Sequence, residues 1–181
     1  MQTYIAILRG INVSGKNKIA MKDLKAALDG AGFQNVATYI QSGNVVFKHK
    51  QTAEKTLAQQ ITQLIKTNFG LDVPVLVRTA ENIQQAYNHN PFLKQKDIDT
   101  EKLHITFLAD VPTQENIDKI NTYSYPPDEF IIAGDNVYVH CPDSYGNTKI
   151  TNTFFENKLK VQATTRNLKT VTKLIEMGQG E

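Results

Sequence analysis

Apolar and polar positions along this chain follow two successive rounds of the same pattern. Residues 4–8 (Tyr-Ile-Ala-Ile-Leu) form a short apolar run of strand composition. Met21, Leu24, Leu28 and Ala31 then recur at the spacing of one helix face, and Gly32 is placed to stop that helix. Residues 36–40 predict a second strand, Ser42-Gly43-Asn44 a tight turn, and residues 45–48 a third strand. Leu57, Ile61, Leu64 and Ile65 mark a second helix ended by Gly70, and residues 73–77 a fourth strand. The order β-α-β-β-α-β is that of the split-βαβ, or ferredoxin-like, unit.

A helical segment from residue 80 to about 87 and a polar stretch over 88–101 separate this round from the next. Residues 103–108 predict a strand, and Thr113 caps a helix carrying Ile117 and Ile120. Residues 130–133 and 137–140 flank the turn Gly134-Asp135-Asn136. Ile150, Phe154, Phe155 and Leu159 are helically placed, residues 161–163 read as a short strand, and Leu168, Val171, Leu174 and Ile175 line a last helix. The halves also agree in letters: residues 39–47 (YIQSGNVVF) set against 131–139 (IIAGDNVYV), and 4–8 against 104–108. The expected fold is therefore α+β: two related ferredoxin-like subdomains from an internal duplication, plus a C-terminal helix. Residues 1–79 make the first subdomain, 80–102 the connecting helix and linker, and 103–181 the second subdomain with the C-terminal helix.

The repeat directs attention to one difference. In the second half the strand reaches its helix through Ala109-Asp110-Val111-Pro112, whereas in the first the connection runs from Arg9 to about Ala20. Chain that a scaffold does not need is more often functional than structural. The longer connection reads Arg9-Gly10-Ile11-Asn12-Val13-Ser14-Gly15-Lys16-Asn17-Lys18, a cationic, amide-rich, glycine-punctuated loop. Such a loop offers backbone N–H groups and positive charge together, as an anion or phosphate requires. It fits G-x-x-x-x-G-K and then departs from the phosphate-loop motif: Asn17 stands where a Ser or Thr hydroxyl would hold Mg²⁺, and the helical period begins only near Met21. A nucleoside-triphosphatase is disfavoured accordingly.

In a β-α-β-β-α-β sheet the first two strands run in the same direction, so the loop after the first and the turn after the second share one sheet end. Arg9, Asn12, Lys16 and Lys18 are thereby expected near Gln41, Ser42 and Asn44. The cations would neutralise a ligand, and the amides and hydroxyl would orient it. The competing view makes Gly43 and Asn44 hairpin formers and has Asn12 and Ser14 cap turns. A second cationic patch is Gln162-Ala163-Thr164-Thr165-Arg166-Asn167. There Thr165 or Asn167 caps the last helix, and Arg166 in its first turn opposes the helix dipole. Arg166 thus joins the candidate ligand-binding set, with a surface ion pair as the alternative. Residues 145–149 (Tyr-Gly-Asn-Thr-Lys) read as a turn and cap that could also edge a site.

Composition narrows these readings. The 181 residues carry 20 Lys+Arg against 18 Asp+Glu, a balance that does not mark a dedicated nucleic-acid binder. Arg9, Arg78 and Arg166 are the only arginines, so bidentate phosphate contacts are scarce. Cys141 is the single cysteine, which excludes an intramolecular disulfide and a cysteine metal cluster. His49, His89, His104 and His140 lack metal-ligand spacing. No apolar stretch is long enough for a bilayer and no leader pattern opens the chain, which points to the cytoplasm and away from a membrane partner. Neither an acid–base pair nor a partnered nucleophile is legible, so the residues identify no cofactor and leave catalysis open.

The motifs also carry a resemblance. Residues 4–13 (YIAILRGINV) with Lys16-Asn17, residues 38–47 (TYIQSGNVVF), Asn90-Pro91-Phe92, and residues 163–167 (ATTRN) followed by Thr170-Val171 and Leu174 resemble, in order, the signatures of the bacterial family catalogued as domain of unknown function 1697. The resemblance implies an α+β fold of two related subdomains and no established activity. One departure is visible: Leu168 stands where that family usually has Trp, which puts any stacking role there in doubt. The favoured function is binding of a small anionic or phosphorylated ligand at the loop after the first strand and the adjacent hairpin. The alternatives are a single-stranded nucleic-acid binder using sheet aromatics such as Tyr4 and Phe47, a protein-interaction module, and an enzyme using the same cleft.

Overall fold

The computed structural model describes residues 1–180. Its first half runs β1 (Gln2–Leu8), α1 (Met21–Gly30), β2 (Gln34–Tyr39), β3 (Asn44–His49), α2 (Glu54–Phe69), β4 (Val75–Thr79) and α3 (Ala80–Asn88). Two short 3-10 turns, Pro91–Lys94 and Thr100–Lys102, lead into the second. That half runs β5 (Leu103–Leu108), α4 (Gln114–Ile120), β6 (Glu129–Ala133), β7 (Asn136–His140), α5 (Asn152–Leu159), β8 (Ala163–Asn167) and α6 (Leu168–Gln179). The fold is mixed α/β, with two four-stranded antiparallel sheets ordered β2-β3-β1-β4 and β6-β7-β5-β8. Among the described residues no helix is long and apolar enough to cross a membrane.

The registers of the two sheets correspond. Ile7 pairs with Asn44 on β3 as Phe107 pairs with Asn136 on β7. Ile5 pairs with Arg78 on β4 as Ile105 pairs with Arg166 on β8. β1 and β2 both run antiparallel to β3 between them, so they point the same way and end at the same sheet edge. The last helices also match, because each follows its strand with no intervening loop. Thr79 Oγ1 accepts from Asn82 N at the start of α3, and Asn167 Oδ1 accepts from Thr170 N at the start of α6. The residues expected as a connector therefore hold a counterpart of the C-terminal helix.

By contacts the chain divides into two compact units. One comprises Met1–Gln84 together with the end of α6 from Lys173, and the other Gln85–Thr172. The divisions fall within α3 and α6. In the first unit Gly178 of α6 lies so close to Ala80 that an added Cβ would come within 2.9 Å of the alanine Cβ. The first unit's core joins alternate residues of β1, β3 and β4 (Tyr4, Ala6, Leu8; Val45, Phe47; Val75, Val77) to Leu24 and Leu28 of α1 and Leu57, Ile61 and Ile65 of α2. Helix α1 ends as its sequence predicts: Gly32 sits at φ +90°, Phe33 N donates to Leu28 O, and Gly32 N to Asp29 O. In the second unit Leu108, Val137, Val139 and Ala163 pack on Ile120, Phe155 and Leu159.

One strand is longer and more polar than its pattern predicts. β8 covers Ala163–Asn167 instead of residues 161–163. Its threonines satisfy their hydroxyls inside the unit: Thr165 Oγ1 lies 2.6 Å from Thr106 Oγ1 and 2.6 Å from Asn152 Oδ1. That network lets a polar sequence occupy a ladder position.

Candidate functional site

The connection after β1 is folded by its own amides. Asn12 Nδ2 donates to Ile19 O at 2.9 Å and to Gln41 O at 2.8 Å, while its Oδ1 accepts from Ile19 N at 2.9 Å. Asn17 Nδ2 donates to Gly10 O, and Asn12 N to Asn17 O. Between these staples Val13 and Lys16 close a small antiparallel bridge around Ser14 and Gly15, at φ +49° and +74°. Both central residues of that tip lie in the left-handed region, the requirement of a type I′ turn. Gly10, Asn12 and Asn17 are also at positive φ, which explains the recurrence of Gly and Asn along the loop.

The β2–β3 turn docks against the base of this loop. Leu8 N donates to Gly43 O at 2.8 Å, and Arg9 N to Pro74 O at 3.0 Å. Gly43 has two reasons to be glycine. Its φ is +87°, and an added Cβ would meet Ile11 Cδ1 at 2.6 Å and Leu8 Cβ at 2.8 Å. Ile40, β-branched and half-exposed, is also held at φ +50°, a conformation that costs such a residue about 1–3 kcal/mol.

The expected residues therefore separate by role. Arg9, Asn12, Lys16, Lys18, Gln41, Ser42 and Asn44 all belong to this one corner of the first unit. Within it, Asn12 and Asn44 depart from the ligand-orienting part expected of them. Both N–H groups of Asn12 are engaged by backbone. Asn44 is fully buried, with Nδ2 donating to Tyr39 O at 3.0 Å and Ser42 Oγ at 3.1 Å. These two amides build the corner. Lys16, Lys18 and Gln41 are exposed, and their side chains make no hydrogen bond or ion pair to the described residues. Lys18 folds back over the tip, its Cε 3.9 Å from the position a Cβ on Gly15 would take. Arg9 and Ser42 are half-buried at the base. Val13 and Ile40, flanking the contact between Asn12 and Gln41, are exposed apolar side chains that sequence reasoning passed over.

The corner is not a phosphate loop of the nucleotide-hydrolysing kind. Helix α1 begins five positions beyond Lys16, and the sheet is antiparallel. Such a loop also needs a strand ending in an acid beside it in the same sheet; the run that ends in Asp110 is β5, which belongs to the other sheet.

Arg166 lies in the second unit, on β8, and not in the first turn of α6 as its sequence suggested. It is half-buried, donates from Nη1 to Thr165 O at 3.0 Å, and loses enough solvation that its guanidinium is pulled down to about 10, partly countered by Tyr145. Its register counterpart Arg78 donates from Nη1 to Val77 O at 3.1 Å and lies 3.6 Å from Glu54 Oε2. The two arginines therefore share a structural position, a parallel the sequence reading missed by treating Arg166 alone. Asn167, not Thr165, caps α6.

The remaining chemical candidates are quiet. Tyr4 and Phe47 are buried and stacked on each other at 5.7 Å, so neither ring presents a face to a nucleobase. Cys141 is buried, and desolvation pushes its thiol up, away from thiolate chemistry. Among the described residues no group of three His, Cys, Asp or Glu side chains is placed to hold a metal ion.

With this geometry established, comparison with known proteins adds family and fold. A family model described as "Protein of unknown function (DUF1697)" matches residues 1–138, which include the loop and the hairpin but not the motif around Arg166. Among solved structures, the chain is similar to the conserved bacterial protein SP0830 from Streptococcus pneumoniae. The TM-score is 0.72 at 21% identity, over 98% of each chain. No curated protein matches.

Proposed function

We propose that this chain, a member of the DUF1697 family, binds a small phosphorylated ligand at the corner formed by the β1–α1 loop and the β2–β3 turn. The observation that carries the reading is a preorganised loop presenting unpartnered cations. Asn12 and Asn17 fix the backbone, and among the described residues no acid pairs with Lys16 or Lys18. Preorganised charge binds an anion without having to be ordered first. In this reading Lys16 and Lys18 neutralise the phosphate, Arg9 adds charge from the base, and the Gln41 amide and Ser42 hydroxyl orient the ligand. Val13 and Ile40 supply an apolar rim, which favours a phosphate attached to a flat or apolar group, such as a nucleotide, over inorganic phosphate.

We further infer that the two units are ferredoxin-like copies of one duplicated ancestor, because sheet order, register and helix caps correspond. Cys141, buried and the only cysteine, fits a reducing, cytoplasmic compartment.

The test is a thermal-shift screen of the whole chain against nucleotides, sugar phosphates, coenzyme A and short oligonucleotides. A ligand at about 100 times its Kd stabilises the folded state by about 2.7 kcal/mol, a readable rise in Tm. A phosphorylated small molecule should raise Tm, and Lys16→Ala and Lys18→Ala should each reduce that rise while leaving the ligand-free Tm unchanged. A response confined to oligonucleotides would replace the reading with nucleic-acid binding. Silence across the panel would remove it.

A further inference from the structure

The second unit also carries chain that its scaffold does not need, at the sheet end opposite to that of the β1–α1 loop. Between α4 and β6 the second unit has residues 121–128, where the first has only 31–33 between α1 and β2. Between β7 and α5 it has 141–151, where the first has only 50–53. The shorter connections close the same kind of crossover, so the scaffold does not require the longer ones. The two insertions meet: Asp128 Oδ2 accepts from Thr148 Oγ1 at 2.6 Å, and Lys149 Nζ stands 5.7 Å from the centre of the Tyr125 ring. Between them they form an open cavity of about 220 Å³, lined in part by Tyr125, Asp128, Asp143, Ser144, Asn147 and Lys149.

The charges in this cavity are opposite and unpaired. Lys149 makes no ion pair with either carboxylate, leaning instead over the Tyr125 ring. Among the described residues the Asp143 carboxylate has no partner; the residue's engaged group is its backbone carbonyl, which accepts from Lys102 Nζ at 3.1 Å. The Asn147 side-chain amide likewise makes no hydrogen bond to the described residues. Ser144 Oγ accepts from Gly146 N at 3.2 Å, which leaves its hydroxyl proton to donate. An anion alone would face Asp128 and Asp143, and a cation alone would face Lys149. A ligand with both charges meets each one. At about 220 Å³ the cavity falls below the range of about 300–1,000 Å³ typical of drug-sized ligands, so the ligand is small.

We propose that the second unit binds a free amino acid in this cavity. Its ammonium faces Asp143, its carboxylate faces Lys149 with donors from Asn147 and Ser144, and its side chain rests on Tyr125. This site is independent of the phosphate site in the first unit.

The test uses the full-length protein and free L-amino acids, each compared with its decarboxylated amine and its deaminated acid. Binding is read by titration calorimetry and by amide chemical-shift changes over residues 143–149. At least one L-amino acid should bind, and both single-charge analogues should bind at least about tenfold more weakly. Asp143→Asn and Lys149→Met, both at exposed positions, should each weaken binding by about tenfold or more with an unchanged Tm. Lys16→Ala should leave it intact. The proposal is overturned if no amino acid binds at about 10 mM, if an analogue binds as well as its parent, or if the shifts map elsewhere.

Discussion

The two units solve one structural problem twice and differ in where they add chain. At the end of its first strand each makes the same pair of contacts: Leu8 N donates to Gly43 O as Leu108 N does to Asp135 O, and Arg9 N to Pro74 O as Ala109 N to Gln162 O. Above that shared base the first unit builds the loop of residues 9–20, whereas the second passes to its helix in 109–113. The consequence is visible at one position. Gly43 must be glycine because Ile11 and Leu8 lie against its Cα, whereas its counterpart Asp135 carries a side chain. Part of that requirement comes from the loop, through Ile11, and part from the hairpin itself, through Leu8 of β1 and the φ of +87°. The hairpin of the first unit is thus packed against the added loop as well as against its own sheet.

The most direct way to break this comparison is to add one methyl group to each hairpin. Gly43→Ala incurs the left-handed penalty of about 1–2 kcal/mol and overpacking of about 1–3 kcal/mol against Ile11 and Leu8. Gly134, at φ +61° with open space around the missing Cβ, incurs only the first of these on substitution. Urea denaturation should therefore give a loss of about 2–5 kcal/mol for Gly43→Ala and about 1–2 kcal/mol for Gly134→Ala. Equal losses would mean that loop and hairpin are not packed as one body.

Much of this was legible in the sequence because apolar spacing reports which face of an element is buried. Every strand and helix over 1–79 is present within a few residues of its expected bounds, and the loop and hairpin meet as strand direction required. What was not legible followed from satisfied polar groups. The residues Thr164, Thr165, Arg166 and Asn167 do not read as a strand, since hydrogen bonding from Thr165 to Thr106 and Asn152 depends on partners far along the chain. Likewise Asn12 and Asn44 are equally plausible in sequence as ligand contacts or as staples, and only their partners assign them to the backbone. The cavity in the second unit is not legible for a different reason: it is made by two connections, residues 121–128 and 141–151, that only the fold brings together.

A smaller effect sharpens the role of the loop staple. Asn12 makes three hydrogen bonds to backbone while sitting at φ +53°, a conformation Asn tolerates better than most residues. At about 1 kcal/mol net per bond, Asn12→Gly should cost up to about 3 kcal/mol without adding strain. The backbone amide of Ile19, which donates to Asn12 Oδ1, should exchange with solvent much faster in the variant. Loss of stability with unaltered exchange at Ile19 would place the energy elsewhere than in the staple.

The smallest effect appears only with pH, and it too comes from a pair of equivalent positions. Tyr4 on β1 and His104 on β5 share a register: Tyr4 pairs with Phe47 and His104 with Val139, where Phe47 and Val139 each stand three residues into their strand from Asn44 and Asn136. Tyr4 is buried and bonded through its hydroxyl to Thr52 at both backbone groups. His104 stacks on Tyr145 at 4.2 Å, and desolvation holds its imidazole below the ordinary 6.5, partly countered by the Lys102 backbone. The folded chain thus resists a proton that the unfolded chain accepts. As pH falls through 6.5 toward the lower folded value, the unfolded state binds more protons and stability declines; below the folded value the decline from this residue stops. Replacing His104 by the tyrosine of the first unit removes that step. The difference in unfolding free energy between wild type and His104→Tyr should therefore be constant between about pH 8 and 9, above the titration of histidine and below that of tyrosine. Below 6.5 it should shift steadily in favour of the variant. A difference independent of pH, or one that moves toward the wild type on acidification, would show that burial does not govern His104 and that its position is not the polar equivalent of Tyr4.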